Sequence, residues 1–523
     1  MGKFNPVSKY ALLSVYNKEG IVDFARVLAS LGYKIISTEG TAKVLVKQKI
    51  PIIPVKKITG NPESFDGRIK TISFQIESGI LFNRKNKKHI EEALKLKIKP
   101  IDIVICNFYP FEETVASKNI SINDAIEHID IGGPTMIRAA AKNFKNVLVI
   151  VDPADYKQIS EKLQSKSITE KLRKYLAAKA FSSLSFYDSQ IAKYLNQELF
   201  PNETIIAGRK IFDLRYGENP HQKAAFYLTH NTVSSLKNMK KLWGRDLSLV
   251  NVTDINAGIE SVRIFDKPCS VVIKHNSPSG IALGNSPDES LKRAIETDPQ
   301  SAFGGIIVMN RNLDIKSARV ISNFKKKRKS NIDIIVAPKV EEKAFELLSK
   351  VRKSMGIYTI GKITKPIRKT LNIKWVDDGF ILQTQDIYSN KDFEKWEAVT
   401  KVKPTKKQLE QLKFAWLFIF RIRSNSVIVV DKKFPMTRGI GSGQTSRIRS
   451  AKIALEQAGI HTRGAILASD SFFPFDDSIK LAAKYKIGAI VQQGGSINDR
   501  ISIEAANRAK IPMVFTYRRA FWH

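Results

Sequence analysis

"YALLSVYNKEGIVDFARVLASLGYKIIST", residues 10–38, decides the fold class. Residues 10–16 form an apolar, β-like run. Residues 19–32 repeat their apolar positions at helical spacing and close on Gly32, and 33–38 is a second short apolar run. A strand, a helix stopped by glycine and another strand in close succession is the unit from which parallel sheets are built. The pattern continues. Residues 39–49 read as a loop and helix, and "DIVICNFYPF" (102–111) and "NVLVIVDP" (146–153) as buried strands closed by proline turns. Residues 160–200 read as helical and "NQELFPNETI" (196–205) as a linker, which sets a boundary near 200 and domains at 1–199 and 200–523. Beyond it, "KPCSVVIKH" (267–275), "SAFGGIIVMN" (301–310), "NIDIIVAP" (331–338), "SNSVIVVD" (424–431), "RGAILASD" (463–470), "KIGAIVQQGG" (486–495) and "IPMVFTYR" (511–518) are strand candidates. Helical patterns at 341–351, 478–486 and 502–510 separate some of them. The fold class is α/β throughout, with no short-period repeat. Binding loops are expected at the carboxyl ends of the strands.

The 523 residues leave room for two to four domains, and 43% hydrophobic with 26% charged residues is ordinary globular composition. The strongest apolar run, "FAWLFIF" (414–420), is far short of the ~18 residues of a membrane span. The start has no signal-peptide layout, and Pro6 spoils a myristoylation motif at Gly2, so a cytoplasmic protein is expected. Cys106 and Cys269 lie in apolar runs and read as reduced core residues, too few and too distant for a zinc site. The net charge of +36 raises nucleic-acid binding as a reading. Lysine is dispersed, however, and only "KKKRKS" (325–330) is a block, which reads as a solvated loop. No nucleic-acid motif accompanies it. The expectation is no specific nucleic-acid partner, with part of the charge serving anionic small molecules.

Several short segments combine chemistry-bearing residues. In "DGRIKTISFQIESGIL" (66–81), Arg68 and Lys70 follow an acidic Asp66; alone this is a surface turn. "CNFYPF" (106–111) ends a strand on Asn107 and Tyr109, and "IDIGGPTMIRAAAKN" (129–143) feeds a tight turn into a helix whose start attracts anions. Alone, Asp130 is a turn residue and Lys142 a solvated helix face. "KHNSPSG" (274–280) ends a buried strand on two adjacent ionisable residues. Neighbours in a strand face opposite ways, unless the chain leaves strand geometry at the "NSPSG" turn signal. "GIGSGQTSR" (439–447) lacks the Lys-Ser/Thr ending of a phosphate-binding P-loop and alone is a helix-entry turn.

Taken together and in order, these segments resemble the family of bifunctional purine biosynthesis enzymes, AICAR transformylase/IMP cyclohydrolase. The strings at 67–71, 107–111 and 129–143 match its first half. "LRYGENPHQ" (214–222), "KHNSPSG", "DPQSAFGG" (298–305), "DIIVAP" (333–338), "SNSV" (424–427), the glycine-rich segment at 439–454, "ASDSFFPFDD" (468–477) and "FTYRRAFWH" (515–523) match its second. Residues 231–250 and 340–410 carry no assignable motif. Ser73, Phe74 and Glu77 stand where the family has His-Pro and a further His, Glu39-Gly40 where it has Gly-Gly, and Ser279 where it has Cys.

The resemblance implies an N-terminal methylglyoxal-synthase-like parallel-sheet domain that closes the purine ring. It implies a C-terminal cytidine-deaminase-like transformylase region in two subdomains, without the zinc signature of that fold. It implies 10-formyltetrahydrofolate as co-substrate, no metal, the ribotides AICAR, FAICAR and IMP as ligands, and a homodimer. For ring closure it implies Lys70, Tyr109, Asp130 and Lys142. The lysines would serve electrostatics and proton transfer, while Tyr109 and Asp130 orient the formamide. Ser14, Lys18, Thr38, Gly40, Thr41, Arg68, Thr71, Asn107 and Gly132 would surround the ribotide. For formyl transfer, a weakly nucleophilic amine needs a base and the tetrahedral oxyanion a cation. These roles fall to His275 and Lys274, with Asn425 orienting the formyl group or His275. Arg215, Tyr216, Arg519 and His523 would bind the ribotide, Asp333 the pterin, and Arg447 and Phe472 the folate. Two rival readings are a transformylase whose cyclohydrolase has decayed, prompted by 73–77, and a basic nucleic-acid-binding protein.

Overall fold

The computed structural model describes residues 8–62, 64–65, 67–109, 111–116, 120–196, 198–229, 235–328, 331–365 and 371–523. The chain forms two compact units: Met1–Arg209 with Thr229–Asn231, and Lys210–Leu228 with Thr232–His523.

In the first unit the opening stretch folds as its pattern requires. Strand Lys9–Val15, helix Ile21–Ser30 and strand Tyr33–Ser37 form a parallel crossover, and Gly32 takes a left-handed φ of 82° just past the helix. The sheet is fully parallel, in the order Ile53–Pro54, Tyr33–Ser37, Lys9–Val15, Ile101–Asn107, Leu148–Ile150. Both faces are covered, which is why its strands read as continuous apolar runs. Ala11, Leu13, Ile103 and Ile105 pack with Phe24, Leu28 and Ile159 on one side. Leu12, Val104 and Cys106 pack with Ile76, Ile137, Ala180 and Leu184 on the other. The strand order reverses between Lys9–Val15 and Ile101–Asn107. In open α/β sheets, that switch point opens a crevice at the carboxyl ends.

The second unit is a structural duplication. One six-stranded sheet runs Ser277–Leu283, Cys269–Lys274, Ile306–Met309, Ile334–Ala337, Gly356–Thr359, Lys240–Trp243. The other runs Thr437–Gly441, Val427–Val430, Ile466–Ser469, Ala489–Gln492, Met513–Phe515, Glu397–Ala398. Each has an antiparallel hairpin at one edge, three mutually parallel strands and an antiparallel strand at the far edge. Helices Leu249–Val262 and Lys406–Ile419 share one core with both sheets, among Val271, Val308 and Val336 of the first and Ile428, Ile466 and Val491 of the second. The "FAWLFIF" run is apolar because its helix is buried from both sides: Phe414, Trp416 and Phe418 all lie in that core. Further helices cover the outer face of each sheet.

Four readings are changed or extended. The turn signal at 276–280 is mostly strand: Ser277–Leu283 is extended, and the turn is His275–Asn276. The glycine-rich segment begins within strand Thr437–Gly441 and its remainder, 442–446, leads into helix Arg447–Ala458 as a helix-entry turn does. A Cβ on Gly439 or Gly441 would lie 1.9 Å from the Ala454 or Ser450 carbonyl oxygen, so these glycines let helix Arg447–Ala458 approach the sheet. Lys325–Arg328, read as loop, completes helix Ile315–Arg328; residues 329–330 lie outside the described residues. The motif-free stretch contains a hairpin, Leu371–Val376 with Gly379–Thr384. Both cysteines are free and buried, and burial pushes their thiols well above the ordinary range. Among the described residues no helix is long and apolar enough to cross a membrane.

Candidate active sites

At the carboxyl edge of the first unit's sheet, the loops after three strands are tied to one another. Asn107 Oδ1 accepts the backbone N–H of Tyr16 at 2.7 Å and of Asn17 at 2.9 Å, and its Nδ2 donates to Asn17 O at 3.1 Å. The Thr41 hydroxyl bonds Val15 N–H and C=O, and the Thr38 hydroxyl donates to Ser14 Oγ at 3.1 Å. Lys18 Nζ donates to Tyr16 O at 3.1 Å. The Tyr109 ring lies 4.3 Å from Tyr16 and 5.1 Å from His128. Gly40 stands exposed in the first turn of helix Glu39–Lys47, where Glu39 complements the helix dipole.

The 67–71 and 129–143 segments meet at the start of helix Gly132–Lys142. Asp130 Oδ1 accepts Gly133 N–H at 2.9 Å, and the Asp130 N–H donates to the Tyr187 hydroxyl at 2.7 Å. A Cβ on Gly132 would lie 2.6 Å from Thr71 Oγ1, and one on Gly133 2.5 Å from Asp130 Oδ2; glycine keeps these groups in contact. Burial raises the Asp130 carboxyl, countered by the Gly133 N–H, the Lys70 ammonium and the Gly132 N–H. Arg68 pairs with Glu127. Asp66 lies outside the described residues. Lys142 does not join this group within the chain: it ends the helix that Gly132 begins, about 15 Å away at 1.5 Å per residue. It lines a separate groove with Arg138, Phe144 and Phe181.

Two departures from the family pattern have local structural roles. Ser73 caps helix Phe74–Leu81, accepting Ile76 N–H at 3.2 Å. Glu77 sits on that helix with its Oε1 buried and without a hydrogen-bond partner, and burial pushes its carboxyl up to about 7. The folded state therefore binds more protons than the unfolded chain between about 4.5 and 7, and stability falls as pH rises through that window. Glu77→Gln removes the penalty. Its urea midpoint should exceed that of the wild type at pH 8 and coincide with it near pH 4.

In the second unit, register places the expected groups along one edge. Ile306 is level with both Ile273 and Ile334, so Lys274, Gly305 and Asp333 form the next row. Lys274 Nζ donates to Phe303 O at 2.9 Å, and Asp333 N–H to Gly305 O at 3.0 Å. Two strand spacings separate Lys274 from Asp333, about 10 Å. This is the amino end of the parallel strands, because Cys269–Lys274 runs against them. Lys274 pairs with Ser277, leaving His275 and Asn276 as a two-residue hairpin loop with φ 53° and 60°. His275 is exposed. Both Asp333 oxygens are ion-paired, to Arg245 and Arg352 at 2.8 Å each, with lone pairs left over. Arg215 and Tyr216 hydrogen-bond to each other, and their backbones are tied to Leu247 and Leu249 at the start of helix Leu249–Val262.

The other group forms at the carboxyl edge of the second sheet. Asp470, fully buried, accepts Arg447 Nη2 at 2.8 Å on one oxygen, and Ser424 Oγ at 2.6 Å and Ser426 N–H at 2.9 Å on the other. It thus brackets Asn425, whose Nδ2 donates to Gln444 O at 2.9 Å, and it stands two residues before Phe472. The Trp522 backbone pairs with Ser424, and the Arg447 and Arg519 guanidiniums lie 6.0 and 4.3 Å from the Phe521 ring. His523 meets the same ring edge-on at 5.5 Å. Asp470 lies within the "ASDSFFPFDD" string (468–477), which by itself implies no individual role for it. Removing it leaves Arg447 buried without a counter-charge. Asp470→Ala should destabilise the second unit by roughly 3–5 kcal/mol, measurable by denaturant titration.

The two edges face the same side of this unit. Ala282 and Met436 form an antiparallel bridge, flanked by Leu283 N–H to Pro435 O at 2.9 Å and Ile281 N–H to Thr437 Oγ1 at 3.1 Å. The start of Ser277–Leu283, next to Lys274, therefore points the same way as the end of Thr437–Gly441, which pairs with Val427 beside Asn425. Among the described residues, no group of three His, Cys, Asp or Glu side chains suits a metal.

The family model described as AICARFT/IMPCHase bienzyme matches residues 140–457, and an MGS-like domain matches 20–135. The chain belongs to the AICARFT/IMPCHase bienzyme family. The bienzyme is 43% identical over 521 residues to the bifunctional purine biosynthesis protein PurH of Thermoanaerobacter sp. (strain X514), covering 99% of this chain and all of that protein. It is 41% identical to PurH of Caldicellulosiruptor saccharolyticus over 99% of this chain and all of that protein. It is 43% identical to PurH of Acetivibrio thermocellus over 98% of this chain and all of that protein. It is a bifunctional enzyme with AICAR formyltransferase and IMP cyclohydrolase activities, and it performs the last two steps of IMP biosynthesis.

Proposed function

We propose that residues 200–523 perform formyl transfer from 10-formyltetrahydrofolate and residues 1–199 close the ring, each with the side chains named above. The AICAR 5-amino nitrogen attacks the formyl carbon while His275 takes a proton from it. The Lys274 ammonium stabilises the oxyanion of the tetrahedral intermediate, and Asn425 orients the formyl group. Collapse breaks the bond to folate N10, which takes up a proton; FAICAR and tetrahydrofolate leave. Arg215, Tyr216, Arg519 and His523 hold the ribotide, Asp333 the pterin, and Arg447 and Phe472 the folate.

In ring closure the FAICAR carboxamide nitrogen attacks the formyl carbon, and loss of water from the resulting carbinolamine gives IMP. Asp130 and Tyr109 orient the formamide, and Lys70 supports the developing charge. Ser14, Lys18, Thr38, Gly40, Arg68 and Asn107 surround the ribotide. Neither step as written uses a metal. The bienzyme acts as a homodimer in the cytoplasm, with no specific nucleic-acid partner.

The observation that carries this reading is the shared edge of Lys274, His275 and Asp333, facing the same side as Asn425 and Arg447. The test supplies AICAR and 10-formyltetrahydrofolate and follows tetrahydrofolate and IMP separately. Enzyme-dependent release of both is expected. Tetrahydrofolate without enzyme-accelerated IMP identifies a transformylase with a decayed cyclohydrolase. Tight, steeply salt-dependent RNA retention in a filter-binding titration supports the nucleic-acid reading instead.

A further inference from the structure

We infer that Asp254 is a positioning residue for formyl transfer, because its buried carboxylate clamps the hairpin loop that carries His275. The inference rests on His275 acting in that reaction, as proposed above. Asp254 is 4% exposed and lies on helix Leu249–Val262. Its Oδ1 accepts the Asn276 N–H at 2.6 Å. With its amide oriented to satisfy its hydrogen bonds, Asn276 donates from Nδ2 to Asp254 Oδ1 at 3.3 Å and to Thr253 O at 3.1 Å.

The loop needs such a clamp. Both of its residues have positive φ, and neither is glycine. Asparagine tolerates this region through local hydrogen bonds, while left-handed backbone is unfavourable for a residue with a Cβ. The Asn276 backbone N–H and side-chain amide, both on this one carboxylate, hold that geometry and set the direction in which the His275 side chain leaves the backbone. The support is rigid: Ile255, Ile259 and Val262 of the same helix lie in the core shared by both sheets, and Ser248 with Asn251 forms a capping box at its start. Burial raises the Asp254 carboxyl, and the N–H groups of Asn276 and His275 and the charge of the His275 ring counter it. When His275 takes the amine proton, its positive charge forms near this carboxylate. The clamp therefore acts more strongly on the transition state than on the resting enzyme.

The test compares the full-length wild type with Asp254→Asn, His275→Ala and the double variant, measuring kcat and KM for AICAR and 10-formyltetrahydrofolate. Asp254→Asn is isosteric and keeps one acceptor while losing the charge. It should lower kcat about 10²-fold with both KM values within about twofold, the pattern of an interaction made in the transition state. The double variant should be no slower than His275→Ala alone, because Asp254 acts through His275. Wild-type kcat in Asp254→Asn, or additive losses in the double variant, overturns the inference. Should Asp254→Asn unfold, Asn276→Ala tests the same clamp from the loop side; an approximately tenfold loss of kcat is expected, and wild-type kcat overturns it. Wild-type formyl transfer by His275→Ala would instead refute the role of His275, a distinguishable failure.

Discussion

His275→Ala should lower kcat for formyl transfer by roughly 10²–10⁴-fold, the usual contribution of a positioned acid–base group, and leave ring closure of supplied FAICAR at the wild-type rate. The AICAR amine is deactivated by its neighbouring carboxamide, so attack on the formyl carbon needs concurrent proton removal. His275 is exposed at the turn of an edge hairpin, next to Lys274, which forms a row with Gly305 and Asp333. The residue projects into solvent from a loop and belongs to no core cluster, so its truncation should not disturb folding. Tetrahydrofolate release measures the loss, and IMP formation from FAICAR measures what remains.

The complementary result is expected for Asp130→Asn: ring closure falls by a similar factor and formyl transfer stays at the wild-type rate. Asp130 caps the start of helix Gly132–Lys142 through Gly133 N–H and faces the Lys70 charge, with Thr71 against Gly132. The isosteric amide keeps an acceptor for Gly133 and loses the negative charge, so the substitution separates electrostatics from packing. A stability cost is expected to be small, because the native carboxylate already bears a burial penalty that raises its pKa. Asp130 is the sharper probe than Lys142, which stands at the opposite end of the same helix.

The fold was largely legible because both units are built from buried parallel strands, whose apolar runs stand out against helical spacing. Residues 277–280 read as turn because they are Ser, Pro, Ser and Gly, and Pro278 is admissible in the strand only because this is an edge strand. The duplication was invisible as a repeat: "SVVIKHNSPSG" and "SVIVVDKKFPM" occupy equivalent hairpins with little residue-level similarity beyond their apolar strands. The short strands Lys240–Trp243 and Gly356–Thr359 have too few residues to show alternation. Motif strings point to His275, Asn425 and Asp130. Asp254 and Asp470 escaped because each acts largely through backbone N–H groups or distant partners, 22 residues away in one case and 44 in the other. No spacing rule links a carboxylate to a main-chain donor so far along the chain. Glu77 and Ser73 show the converse: as departures from the family pattern they drew attention to chemistry, and the structure gives Ser73 a cap and Glu77 a buried, titrating carboxyl.

The most direct test of two separate reaction centres is a crossed assay of His275→Ala and Asp130→Asn. Each folded variant is given FAICAR in one vessel and AICAR with 10-formyltetrahydrofolate in another. IMP from FAICAR at the wild-type rate but no accelerated tetrahydrofolate release is expected for His275→Ala, and the reverse for Asp130→Asn. Loss of both activities by either folded variant, or retention of both, would contradict the assignment.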